Sequence, residues 1–180
     1  DTRRTHFLRR SSHRPPQRQA DRPALITRLP PDEWFPTGRG DIAARRVRLP
    51  DGVTLRVLEA GPPNGPPVLM LHGWAISAYL WRQNIPALAA AGFRVYAIDL
   101  PGHGLSDAPQ ARGSYTLDAM TTRTSLLLDA LGLEQAAVVA QSMGGRIAVE
   151  LARRATGRVS RLVLFGPVGF GDISPARAYV

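Results

Sequence analysis

An apolar run, Ala136-Ala137-Val138-Val139-Ala140, stops at Gln141-Ser142-Met143-Gly144-Gly145 and gives way to a helical pattern. The run has the length and β-branched content of a buried strand. Ala140 and Gly144 lie two residues to either side of Ser142 and are small enough for a tight turn that pushes Oγ into the open. This is the mechanical logic of a nucleophile elbow, whose usual pattern G-x-S-x-G differs here in having Ala140 at the first glycine. An ordinary turn serine can carry the same five residues, and the strand-turn-helix setting is what favours the elbow.

The remaining elements are read around that turn. Arg45–Leu49 and Leu55–Leu58 are expected strands joined across Asp51-Gly52, a hairpin signal. After the stiff Gly61–Pro67 loop, Val68-Leu69-Met70-Leu71 is continuously apolar, as a strand covered on both faces requires. Helical signals run from Ser77 to Ala91, with Pro86 breaking or restarting that segment and Gly92 as a C-cap. Phe93–Leu100 is the next strand. Thr116 is placed as an N-cap, with Leu117, Met120, Thr124, Leu127, Leu128 and Leu131 on one helical face and Gly132 closing the helix. In the helix after Ser142, Ile147, Leu151 and Ala155 share a face, while Arg146, Glu150 and Arg154 form a second stripe expected to be exposed. Leu162–Phe165 is the last strand. Strands alternating with helices predict an α/β fold, a mainly parallel central sheet with helices on both faces. Right-handed crossovers then place the loops after successive strands on one edge, where such sheets bind ligands.

Charge narrows the choice of partner. The net charge is +9, yet residues 1–28 hold eight arginines against two aspartates, and the remainder is close to balance. Residues 1–36 are therefore read as a disordered Arg/Pro-rich tail and residues 37–180 as the folded part. The tail is either a polyanion-binding arm, a targeting remnant or an incidental extension. Nucleic acid is disfavoured as a partner because the body lacks a basic aromatic platform. There is no cysteine and no lysine, which removes disulfides, thiolate chemistry and Schiff bases. No apolar run approaches the roughly 18 residues of a membrane span. A cytoplasmic setting and no metal or organic cofactor are the expectations.

Two further loops share the edge with Ser142: His72-Gly73-Trp74, and Asp99-Leu100-Pro101-Gly102-His103-Gly104-Leu105-Ser106. With these three motifs in this order, residues 43–170 resemble the α/β-hydrolase family. The resemblance implies a serine hydrolase acting on a small-molecule carboxylic ester or related acyl bond through an acyl-enzyme on Ser142. It implies oxyanion donors in the backbone N–H groups of Met143 and Trp74, with the Trp74 side chain lining an acyl pocket. It gives His72, Gly73, Asp99, Gly102, His103, Gly104, Ser106 and Gly144 supporting roles in the loops rather than catalytic ones. The serine disfavours the branches with aspartate at the elbow, haloalkane dehalogenases and epoxide hydrolases. Lactonase, thioesterase, haloperoxidase and carbon–carbon hydrolase chemistries stay open.

The family's order also implies an acid and then a histidine after the nucleophile. The acids after Ser142 are Glu150, on the stripe expected to be exposed, and Asp172, a candidate for the triad; no histidine follows. The chain is accordingly read as the N-terminal portion of a hydrolase, inactive in this form. Leu162–Phe165 is then expected to be an uncovered apolar edge that favours poor expression or oligomers. The alternatives are a catalytically incomplete fragment acting as a binding module, and an arginine-tail nucleic-acid binder.

Overall fold

The computed structural model describes residues 25–28 and 40–169. The strands are β1 (Leu25–Arg28), β2 (Ala43–Arg48), β3 (Thr54–Ala60), β4 (Pro67–Leu71), β5 (Arg94–Ile98), β6 (Ala136–Gln141) and β7 (Val159–Phe165). The helices are α1 (Asn84–Ala90), α2 (Leu117–Ala130) and α3 (Met143–Arg154). All seven strands join one sheet in the order β1-β2-β3-β5-β4-β6-β7. Strands β5, β4, β6 and β7 are parallel, whereas β1, β2 and β3 are antiparallel additions, with β3 also antiparallel to β5. β2 and β3 are joined by a short hairpin across Asp51-Gly52, whereas the parallel pair β4 and β5 is joined by a crossover through α1.

Both faces are covered, which explains the unbroken apolar run in β4. Leu69 and Leu71 join a cluster with Met120, Leu127 and Leu128 of α2 and Ile147, Ala148 and Leu151 of α3. Val68 and Met70 face the other way, into a cluster with Trp81 and with Ile85 of α1. Helix α2 begins where the cap predicts, since Thr116 Oγ1 accepts from the Ala119 N–H at 3.2 Å. Beyond its last turn the chain reverses at Gly132, whose φ is +68°.

Several expectations change. The helix expected over Ser77–Ala91 is a 3-10 turn, Ala78–Trp81, followed by α1. The segment restarts at Pro86, as one of the two readings had it: Pro86 sits in the first turn of α1, where a missing N–H leaves no bond unmade. The segment 1–36 contains β1, paired with β2 from Leu25 opposite Arg48 to Arg28 opposite Arg45; the rest of that tail lies outside the described residues. The last strand starts at Val159, earlier than Leu162. Glu150 is buried rather than exposed. Its carboxylate accepts from Arg153 at 2.7 Å and from Arg154 at 2.5 Å, and those guanidinium groups cover it. Arg154 reaches on to Asp118 of α2, so this end of the stripe ties α3 to α2. The Arg153 and Arg154 hydrogen bonds lower the Glu150 pKa to about 2.

Strand β7 lies at the end of the sheet order, and its apolar side chains remain exposed, Phe165 to 53% and Val163 to 47%. No helix among the described residues is long and apolar enough to cross a membrane.

Candidate active site

Strands β5, β4 and β6 are adjacent and parallel, so the three loops that leave their C-terminal ends open on the same sheet edge. Ser142 occupies the turn between β6 and α3 with φ 51° and ψ −116°. This is a strained backbone for a residue with a Cβ. Ser142 is held by its main chain: its N–H donates to Phe165 O at 3.0 Å, and its carbonyl accepts from Gly145 N–H at 3.0 Å. Its hydroxyl makes no hydrogen bond to the described residues and is not among the buried polar atoms. The N–H groups of Met143 and Trp74 likewise have no partner among the described residues.

Glycine is what lets the loops close on one another. A Cβ on Gly73 would strike the Gln141 side chain and come within 3.0 Å of Ser142 Cβ. A Cβ on Gly144 would come to 2.5 Å from His72 O, so the first turn of α3 sits directly against the end of β4. The His72 and Ser142 loops are therefore in contact.

His72 is fully buried, and its tautomer follows from its partners. Nε2 accepts from the Leu100 N–H at 2.9 Å. The proton must then sit on Nδ1, which donates to Gly73 O at 2.7 Å. Burial holds the His72 pKa below 6.5, and nearby His103 pushes the same way, against the Gly73 bond and Asp99. With both nitrogens engaged, His72 cannot take a proton from Ser142. The Gly73 carbonyl and the Trp74 N–H belong to one peptide plane, so the Nδ1 bond also fixes the direction of that N–H. His103 Nδ1 donates to Pro101 O at 3.0 Å, and its ring lies between those of His72 and Trp74 at 5.1 and 5.7 Å. The Trp74 indole is 72% exposed and meets His103 edge-on.

Asp99 binds the loops from beneath. Oδ1 accepts from the Ala78 N–H at 2.7 Å, and Oδ2 accepts from the Leu105 N–H at 2.9 Å and from Arg56 at 3.1 Å. Ser106 Oγ donates to Asp99 O at 2.6 Å and accepts from the Arg56 N–H at 2.8 Å. Gly104, at φ +54°, leaves room that a Cβ would take from the Asp99 carboxylate. Gly102, at φ +77°, does the same for the Tyr115 ring. Asp172 lies outside the described residues. The described residues include no cluster that would hold a metal ion.

Comparison with known proteins identifies the fold. The family model described as alpha/beta hydrolase fold matches residues 66–179. The chain belongs to the α/β-hydrolase family. Epoxide hydrolase A of Mycobacterium tuberculosis is 45% identical over 105 residues, 57% of this chain and 33% of that protein. The haloalkane dehalogenase of Psychrobacter cryohalolentis is 41% identical over 105 residues, 58% of this chain and 35% of that protein. A protein of Cupriavidus necator, the dihydrolipoyllysine-residue acetyltransferase component of an acetoin cleaving system, is 41% identical over 122 residues, 68% of this chain and 32% of that protein. Among solved structures, an epoxide hydrolase from Vigna radiata superposes with a TM-score of 0.66 at 34% identity, covering 70% of this chain and 39% of that one. The chain thus spans about a third of the length of these curated relatives.

Three features of the α/β-hydrolase site escaped the sequence reading. Arg56 is buried against Asp99, although it reads as an ordinary strand arginine. Gln141 packs on Gly73 with Oε1 buried and without a partner among the described residues, and only its position beside Ser142 could have drawn notice. Ala75 holds a positive φ, a property no sequence signal marks.

Proposed function

We propose that the protein is a serine hydrolase that cleaves a carboxylic ester or related acyl bond of a small molecule. The observation that carries this is Ser142, at φ 51° with an unburied hydroxyl that has no partner among the described residues, next to a loop whose Trp74 N–H likewise has none among them. Oγ attacks the acyl carbonyl carbon, and the carbonyl oxygen takes the negative charge. The N–H groups of Trp74 and Met143 stabilise that oxygen; losing one such donor typically costs about 2.7–4 kcal/mol of transition-state stabilisation. The ester C–O bond then breaks, the alcohol leaves with a proton, and water releases the acid from Ser142. His72 is excluded as the base by its own hydrogen bonds. The family's order puts acid and base after the nucleophile, and Asp172 is the acid candidate in this chain.

A second reading, hydrolysis of an epoxide or a carbon–halogen bond, is favoured by the names of two of the relatives and of the solved structure. The residue at the elbow favours acyl chemistry over it. In a full-length protein that supplies an acid and a histidine after Ser142, labelling by a fluorophosphonate probe and turnover of p-nitrophenyl esters, both lost in Ser142→Ala, are the expected results; the 180 residues by themselves hold no histidine after Ser142 and are expected to be inactive. Turnover of an aryl epoxide with no labelling at Ser142 would overturn the acyl reading.

A further inference from the structure

Two non-glycine residues among those described hold a positive φ: Ser142 at 51° and Ala75 at 56°. The first belongs to the elbow. The second directly follows Trp74, and nothing in its side chain accounts for it. Ala75 is exposed, so its methyl group packs no core and its structural content is its backbone. An L-residue held there costs about 1–2 kcal/mol, and glycine would avoid that cost.

The neighbours show why the strain persists. On the N-terminal side, His72 Nδ1 holds the Gly73 carbonyl at 2.7 Å and Nε2 holds Leu100. On the C-terminal side, the Ala78 N–H is held by Asp99 Oδ1 at 2.7 Å, and Ser77 Oγ accepts from the Tyr79 N–H at 3.3 Å. Both anchors lead to the same loop after β5. The chain from 73 to 77 must leave one anchor and reach the other while the Trp74 ring stays edge-on to His103. A left-handed residue at 75 turns the chain between them.

We propose that Ala75 is a positioning residue: its left-handed backbone, confined to a small well by its Cβ, stops the Gly73–Ser77 loop from moving and keeps the Trp74 N–H aimed beside Ser142. The inference rests on the reading of Trp74 N–H as an oxyanion donor. Glycine at 75 relieves the strain but opens a much wider φ/ψ range, so the loop gains freedom while the fold loses no contact. Asparagine tolerates the left-handed region and restores the confinement.

The test uses the full-length protein, with an acid and a histidine supplied after Ser142, and follows p-nitrophenyl ester turnover, fluorophosphonate labelling and thermal melting of the parent, Ala75→Gly and Ala75→Asn. In Ala75→Gly, kcat is expected to fall about tenfold with KM within about twofold, because a misplaced donor acts on the transition state rather than on binding. Its Tm is expected to stay level or rise. In Ala75→Asn, kcat is expected to return to within about twofold of the parent, as a residue that accepts positive φ predicts. Parent turnover in Ala75→Gly, or a joint fall of kcat and Tm in both variants, overturns the inference while leaving the acyl reading intact. A parent without labelling or turnover overturns both.

Discussion

Replacing His72 with phenylalanine removes two buried hydrogen bonds while keeping an aromatic ring of similar size beside His103. Leu100 N–H and Gly73 O lose their partners, and both residues are buried. An unsatisfied buried group costs about 1–3 kcal/mol, so the two together predict a loss of about 2–6 kcal/mol at pH 8. The pH dependence separates this cause from altered packing. The folded pKa of His72 lies below 6.5, chiefly through burial, so below pH 6.5 the unfolded chain binds a proton that the folded chain refuses. The contribution of His72 is therefore complete above its unfolded value and declines as pH falls towards the lowered folded one, by at most about 1.4 kcal/mol per pH unit. The phenylalanine variant has no such decline. The stability difference between parent and variant should thus be largest at pH 8 and shrink towards pH 5.5. Urea denaturation monitored by tryptophan fluorescence measures it. A difference within about 0.5 kcal/mol at pH 8, the range of an ordinary surface substitution, would refute the reasoning. So would a difference that stays constant with pH.

Asp99→Asn leaves the buried Arg56 guanidinium without its counter-charge, and a loss of about 3–5 kcal/mol by denaturant titration is expected; a near-neutral result would mean Arg56 is hydrated. Gly104→Ala forces a side chain to φ +54° and into the Asp99 carboxylate, so a loss of about 2–4 kcal/mol should appear as a lowered Tm. Glu150, with its pKa lowered from 4.5 to about 2 by Arg153 and Arg154, stabilises fully above pH 4.5 and ceases to as pH falls towards 2. Glu150→Gln should flatten that acid limb in a pH series of melts, and an unchanged limb would count against the pairing.

Much of the layout was legible because it depends on local pattern. The Val68–Leu71 run, the Thr116 cap, the Asp51-Gly52 turn and the Ala136–Gly145 junction each carry their signal within a few residues. The three edge loops could be named as neighbours because parallel strands place their C-terminal ends together. Where the reading failed, a distant partner decided the outcome. Glu150 is covered by arginines that also reach α2, and β1 becomes a strand by pairing with β2.

The succession of strands from β2 to β7 with α2 and α3, and Ser142 at a sharp bend, were determined by the sequence alone, through hydrophobic period and the size of residues near the bend. Tertiary structure alone decided which His72 nitrogen carries the proton, why Arg56 is buried and why Ala75 is bent left-handed. Each of these depends on groups that meet only after the chain has closed: Leu100 N–H on His72, Asp99 on Arg56, and two anchored ends on the loop that contains Ala75.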